Sequence, residues 1–223
     1  MGFSATLAFA TLLYAADLPV SVNNLATGAT SHVELTNTGA QPVTAWSLAI
    51  TTRSDNGGTH RVIETVDAYL ADVTRDLPRA SPHLDWLRPG QTREIPLDPL
   101  PHDAKVELVA VVLEDLTSSG DAQVVKSIFE HRASERDELR IVAGIFNDVL
   151  QSKHGIAALQ ELKDRFATAT GPQESTPHRT AREAVETYLQ RATAENPDAA
   201  EQSMRAYAAL VASQYELAVK HSR

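Results

Sequence analysis

The sequence predicts an α+β fold in which an antiparallel β-sandwich is followed by a helical region. Three observations carry that expectation. Apolar and polar residues alternate over Ser31–Asn37 and over residues 44–52, the period of a half-buried strand. After Ser118-Ser119-Gly120 the apolar spacing changes to that of a helix. The charge is uneven as well: residues 1–121 carry 7 Lys+Arg against 15 Asp+Glu, whereas residues 122–223 carry 13 against 14. Two regions with different surfaces therefore meet near Asp121.

The N-terminus comes first. Residues 1–16 hold no charged side chain, and residues 3–16 read FSATLAFATLLYAA. As a helix, 16 residues would span about 24 Å, short of the roughly 30 Å of a hydrocarbon core. Asp17 and Pro19 then end the run. The pattern predicts a signal peptide cleaved after Ala15 or Ala16, hence export to the periplasm or beyond, although the segment lacks a leading Lys or Arg. The alternative is a buried first helix or strand.

The strand region follows. Val33 and Leu35 point one way and His32, Glu34 and Thr36 the other, while Trp46, Leu48 and Ile50 share one face of the next segment. Asn37-Thr38-Gly39 separates these two segments, and Asp55-Asn56-Gly57-Gly58 is a hairpin signal because Asn and Gly accept positive φ. Residues 62–73 fit two patterns, since Val62, Val66, Tyr69, Leu70 and Val73 also make a helical stripe. The reading adopted is strand to Asp67, then an irregular segment to Pro82. Arg88-Pro89-Gly90-Gln91 is a turn before a strand at Thr92–Leu97. Residues 105–114 are apolar on both alternating faces. Such a strand is covered on both sides, by a second sheet and by a helix from the C-terminal region.

Without the signal segment, the strand region has the usual length of an immunoglobulin-like sandwich. The string VELTNTGAQPVTAWSLAITT, then LRPGQTREIPL and a long final strand, resembles bacterial extracytoplasmic immunoglobulin-like modules of the fibronectin-III and cell-adhesion-related kind. In those modules a short Asn-x-Gly turn joins early strands and a Pro-Gly turn precedes a later one. The chain also resembles exported bacterial proteins that continue into EDxTxxGD and a helix, as residues 114–121 do. Trp46 is similar to the core Trp of immunoglobulin domains, while the paired cysteines of that family are absent. The resemblance implies an N-terminal immunoglobulin-like antiparallel β-sandwich over residues 17–121, ahead of a helical region over residues 122–223.

Asp121 is a good N-cap, and Val124, Val125, Ile128 and Phe129 follow at helical spacing. Residues 130–138 are strongly polar before the stripe resumes with Leu139, Val142, Phe146, Val149 and Leu150, so this is either one long helix or two. Gly155 marks an end, and Ile156, Leu159, Leu162 and Phe166 predict the next helix. Residues 170–178 read as a linker, residues 179–194 and 199–220 as two further helices, with a break at Asn196-Pro197-Asp198. These lengths suit an antiparallel hairpin or small bundle.

Composition excludes several functions. A net charge of −9 argues against a nucleic-acid backbone binder, and zero cysteines exclude a disulfide scaffold, thiolate catalysis and Cys-ligated zinc. Neither a nucleotide-binding Gly-rich loop nor HExxH nor GxSxG occurs. His32/Glu34, His60/Glu64 and His83/Asp85 are imidazole–carboxylate pairs that each share a face of an extended segment, and His131/Glu135 lie one helical turn apart. Solvated surface is the simpler account of all four. Glu114, Asp115 and Asp121, with Thr117 and Gly120, make an acidic turn that is a weak Ca²⁺ candidate, short of the full DxDxDG spacing. The plainer reading is a strand end and a helix cap.

The expected function is a non-catalytic binding or structural module whose sandwich and helical surfaces contact proteins or glycans of the cell envelope. No nucleic-acid partner and no membrane span of the mature chain is expected. The alternative is an ion-dependent or hydrolytic enzyme with a His/carboxylate site between sandwich and helices. Convergence of three or more of His32, Glu34, His60, Glu64, His83, Asp85, Glu114 and Asp115 in one cleft would favour it.

Overall fold

Strand pairing divides the first half of the molecule into two antiparallel sheets. The computed structural model describes residues 18–28, 30–54, 56–73, 85–168, 175–194 and 196–221. The expected signal segment, Pro82 and His83 lie outside these residues. β1 (Val20–Ala26), β2 (Ser31–Asn37) and β5 (Thr92–Leu97) form one sheet in the order β1-β2-β5. β3 (Val43–Arg53), β4 (Thr59–Asp67), β6 (Lys105–Leu113) and β7 (Ser118–Gly120) form the other, in the order β4-β3-β6-β7. The alternation seen in the sequence sets their facing sides. Val33 and Leu35 of β2 are buried, together with Trp46 and Leu48 of β3, Ile95 of β5 and Val111 of β6.

The two sequence turns are tied to one another. Asn37 is buried, and its side-chain amide donates to the carbonyls of Gln41 and Leu87 while its Oδ1 accepts from Gly39 N–H. Its backbone N–H donates to Gln91 and its carbonyl accepts from Gly90. One side chain thus satisfies the turn after β2 and holds the Pro-Gly turn against it.

The strand from Thr59 ends at Asp67 as expected, but the chain then forms the helix α1 (Ala68–Val73) instead of an irregular segment. Asp67 Oδ1 accepts from Leu70 N–H, which caps the new helix, and Ala68, Tyr69, Leu70 and Val73 are all buried. The helical stripe and the strand pattern are both real and meet at one residue.

β6 is covered on both sides. Behind the inter-sheet core, Ala45, Ala110 and Val112 pack under Ile128, flanked by Val124, Val125 and Phe129. All of these last residues lie on the long helix α2 (Ala122–Ser152), which runs unbroken through the polar stretch. Its N-cap Asp121 accepts from the amides of Gln123 and Val124. The short strand β7 was not evident in the sequence. It exists because Val109 bulges out of β6: Ser47 pairs with Ala110 and Leu48 with Leu108, leaving Val109 without a partner on β3. The Val109 carbonyl instead accepts from Asp121 N–H at 2.7 Å.

α3 (Gly155–Thr168), α4 (Thr176–Ala194) and α5 (Pro197–His221) complete a helical bundle with α2. α5 opens one residue into the expected break, with Asn196 Oδ1 accepting from Asp198 N–H and Pro197 in the first helical position. The bundle core centres on Phe146, which lies 5.2 Å from Phe166 and edge-on to Tyr207 at 5.8 Å. His178 is buried there and its Nε2 bonds the Phe166 carbonyl at 2.9 Å, so that nitrogen carries the ring proton. α5 also staples the α2–α3 connection. Glu201 accepts from the Gly155 amide at the start of α3, and Arg205 donates to the Leu150 carbonyl in the last turn of α2.

Two measurable consequences follow from these contacts. A Cβ on Gly120 would stand 2.1 Å from the Val109 oxygen, at a φ of +110°. Gly120→Ala is therefore expected to lower stability on the order of 2 kcal/mol or more in urea unfolding. The second concerns Glu201, whose carboxyl is held down to about 2, first by the Gly155 amide and then by Arg205. The folded state thus binds fewer protons than the unfolded state below the ordinary value of 4.5. The contribution is complete above that value and is lost as pH falls towards 2. Glu201→Gln should flatten that acid limb of the melting temperature against pH.

Candidate functional site

The residues singled out by sequence occupy separate places. His32 and Glu34 lie on the outer side of β2, since Val33 and Leu35 face the core, and His32 Nδ1 is 4.0 Å from Glu94 of β5. His60 and Glu64 lie on β4, in the other sheet. Asp85 offers its backbone carbonyl to the Arg93 guanidinium. His131 is exposed on α2, and Glu135 beside it is half-buried. Burial raises the Glu135 carboxyl, opposed by His131 and reinforced by Glu138.

In the acidic turn, Asp115 Oδ1 accepts from both the amide and the hydroxyl of Thr117, and Oδ2 accepts from Gln41. These bonds hold its carboxyl below the usual range, those from Thr117 having the largest effect. Asp121 is engaged as the α2 cap, and Glu114 is exposed beside Pro42 and Trp86. Among the described residues, Glu114, Asp115 and Asp121 do not form a metal-holding group, and no other three His, Asp or Glu side chains do so.

The structure instead concentrates unusual chemistry along β4 and behind its end. β4 is an edge strand: it pairs with β3 in unbroken register from Ala45↔Asp67 to Arg53↔Thr59, and no described strand pairs with its other side. It nevertheless carries Val62, Ile63 and Val66, which are 41%, 37% and 40% exposed. By register, Val62 and Val66 stand beside Ile50 and Trp46 on the inter-sheet face, and Ile63 stands beside Ala49 on the other. Neither face of this edge is wholly covered.

The other three sheet edges are blunted. β5 contains an exposed Pro96 among Arg93 and Glu94, β1 shifts register between Asn23 and Ala26, and β7 has only three residues. Proline, a bulge and shortness are the devices by which sheet edges avoid pairing with other chains. β4 has no proline, no bulge and nine residues, and its polar protection is limited to His60, Arg61 and Glu64.

The end of β4 is locked. Arg132 of α2, 1% exposed, donates from Nε to Asp67 Oδ2 at 2.7 Å and from Nη2 to Asp67 Oδ1 at 2.9 Å. The same Nη2 donates to Thr44 Oγ1 at 3.1 Å, and Thr44 donates on to the Val112 carbonyl. The guanidinium stacks over the Tyr69 ring at 4.6 Å. Burial pushes the Tyr69 phenol well above its ordinary range, against the pull of Arg132, and its hydroxyl donates to the Leu217 carbonyl of α5. One guanidinium therefore joins α2, β3, β4 and α1, and through Tyr69 reaches α5. In the sequence Arg132 stands inside the strongly polar stretch 130–138, which gives no sign of its burial. The available signal was its position one helical turn after Ile128, on the stripe that faces the sheet.

No family model, no curated protein and no solved structure matches this chain.

Arg132→Met leaves Asp67 buried without its partner and is expected to cost about 3–5 kcal/mol in chemical unfolding. Adding Asp67→Asn, which keeps the oxygen that caps α1 while removing the charge, should recover part of that loss.

Proposed function

We propose that this chain is a non-catalytic binding module of the bacterial cell envelope, which docks an extended protein segment against the free edge of β4. The observation that supports this most is the occurrence of exposed Val62, Ile63 and Val66 on a long edge that no described strand pairs. Strand addition uses such an edge: main-chain hydrogen bonds give affinity and alternate side chains give selectivity. The Arg132–Asp67 pair favours the same reading, because a fixed edge loses little conformational entropy when a partner docks.

The framework in this proposal is an immunoglobulin-like sandwich. What supports this is the strand orders β1-β2-β5 and β4-β3-β6-β7, which parallel A-B-E and C-F-G when β4 is read as a strand added beside C. Trp46, 2% exposed on that strand, stands where immunoglobulin domains carry their core Trp. The uncharged segment before Asp17 supports export. No described helix is long and apolar enough to cross a membrane.

A photoreactive residue at position 63, compared with one at Pro96 on the blunted edge of β5, tests the binding surface. Illumination in envelope extract should give a discrete protein adduct at 63 and none at 96. Equal labelling at both, or none at 63, overturns the reading. N-terminal sequencing of the mature chain tests export, with a start at Ala16 or Asp17 expected and an intact Met1 against it.

A further inference from the structure

We infer that the segment docked on β4 is the β4 strand of a second copy of this chain, so that two four-stranded sheets join into one. This rests on the proposal that β4 is a docking edge, and it adds the identity of the partner. Two identical edges related by a two-fold axis perpendicular to the sheet run antiparallel and keep the same side chains on the same face. Residues paired across the axis must then have the same parity.

The side chains of β4 select one register. With the axis at Val62, Val62 faces its own counterpart and His60 faces Glu64 of the copy, twice, by symmetry. Arg61 then faces Ile63, and Thr59 faces Thr65. Moving the axis to Arg61 sets arginine against arginine, and moving it to Glu64 sets glutamate against glutamate. Like charges directly opposite are destabilising. Placing the axis at Ile63 sets His60 against Val66 and Glu64 against Val62, which leaves both polar groups facing valine. Of these registers, the one about Val62 pairs valine with valine and His60 with Glu64, and leaves Arg61 against Ile63 as its one mismatch along the centre of the strand. Within one chain, no ion pair among the described residues engages His60 or Glu64, so both remain available.

A second copy also accounts for the pattern of edge protection. Isologous pairing through β4 closes on itself and presents no further surface of its kind. The joined sheet would run β7-β6-β3-β4 and back through the copy, ending at β7 on each side. The nine-residue outer edge of β4 is consumed. A nine-residue strand contact is small for an interface, so the dimer should dissociate at concentrations on the order of micromolar.

The absence of cysteine provides a clean test. Sedimentation velocity of the wild-type chain should show a reversible dimer, and Val62→Lys should be monomeric, with a melting temperature that no longer rises with protein concentration. Under mild oxidation Val62→Cys should cross-link to itself roughly tenfold faster than Ile63→Cys, because only position 62 meets its own counterpart at a distance a disulfide spans. The cysteine variants leave the result readable even where the lysine variant folds poorly. A wild-type chain that stays monomeric up to about 0.5 mM overturns the inference, as does a dimer indifferent to Val62→Lys. Cross-linking at 63 as fast as at 62 overturns it too. A photoadduct at position 63 with a different protein, in place of one of twice the chain mass, would end self-pairing while leaving β4 a docking edge. No adduct at all ends both.

Discussion

Arg132 and Asp67 face one another in a place where neither could remain alone. A guanidinium that is 1% exposed has given up its water, and only a carboxylate in bidentate geometry with further hydrogen bonds offsets that loss. The offset is assembled from four elements. Asp67 closes β4 and caps α1, Thr44 passes the contact into β3, Tyr69 stacks on the guanidinium, and α2 delivers the arginine. Hydrophobic contact between sheet and helix could slide, since apolar burial is not directional. The bidentate pair cannot. It fixes the register of α2 on the sheet, and with it the place from which the rest of the bundle is built.

That constraint explains why the sandwich and the bundle share one apolar core. Trp46 between the sheets and Phe146 between the helices belong to the same buried cluster. The chain returns to close it: the last turn of α5 brings His221 to 5.5 Å from Tyr69 and 6.2 Å from Trp86. With no disulfide to hold the halves, the closure depends on packing and on the polar contacts made at Tyr69 and Arg132.

Most of the architecture was legible because it follows from short-range pattern. Val33 and Leu35, Trp46 and Leu48, and the doubly apolar run of β6 each state their environment in a few consecutive residues, and the cover over the outer side of β6 is where that run required it. What was illegible depends on pairs distant in sequence. β7 has three residues and no period; it exists only because the Val109 bulge presents a carbonyl beside Asp121. The helix α1 competed with a strand pattern over the same residues, and the Asp67 cap settles the boundary. Arg132 sits among Glu130, His131 and Glu135, which made it look solvated, and its partner lies 65 positions away. The candidate site was hidden for a related reason. Val62, Ile63 and Val66 resemble ordinary strand residues until the sheet order places β4 at an edge.

The two features meet in one strand. A sheet edge that is both apolar and mobile would expose its backbone in many conformations and pair without selectivity. β4 is held on one side by nine consecutive pairings with β3 and at its end by a buried arginine, so its outer hydrogen-bonding groups are presented in a single arrangement. In the proposed pairing, His60, Arg61 and Glu64 would act on that fixed frame, where a displacement of one residue sets arginine against arginine or leaves His60 and Glu64 opposite valine. In that proposal rigidity comes from the bundle and selectivity from the side chains of the edge. If β4 is the docking edge proposed above, the helical half of the molecule, which carries none of the edge residues, contributes to recognition by keeping that edge in one geometry.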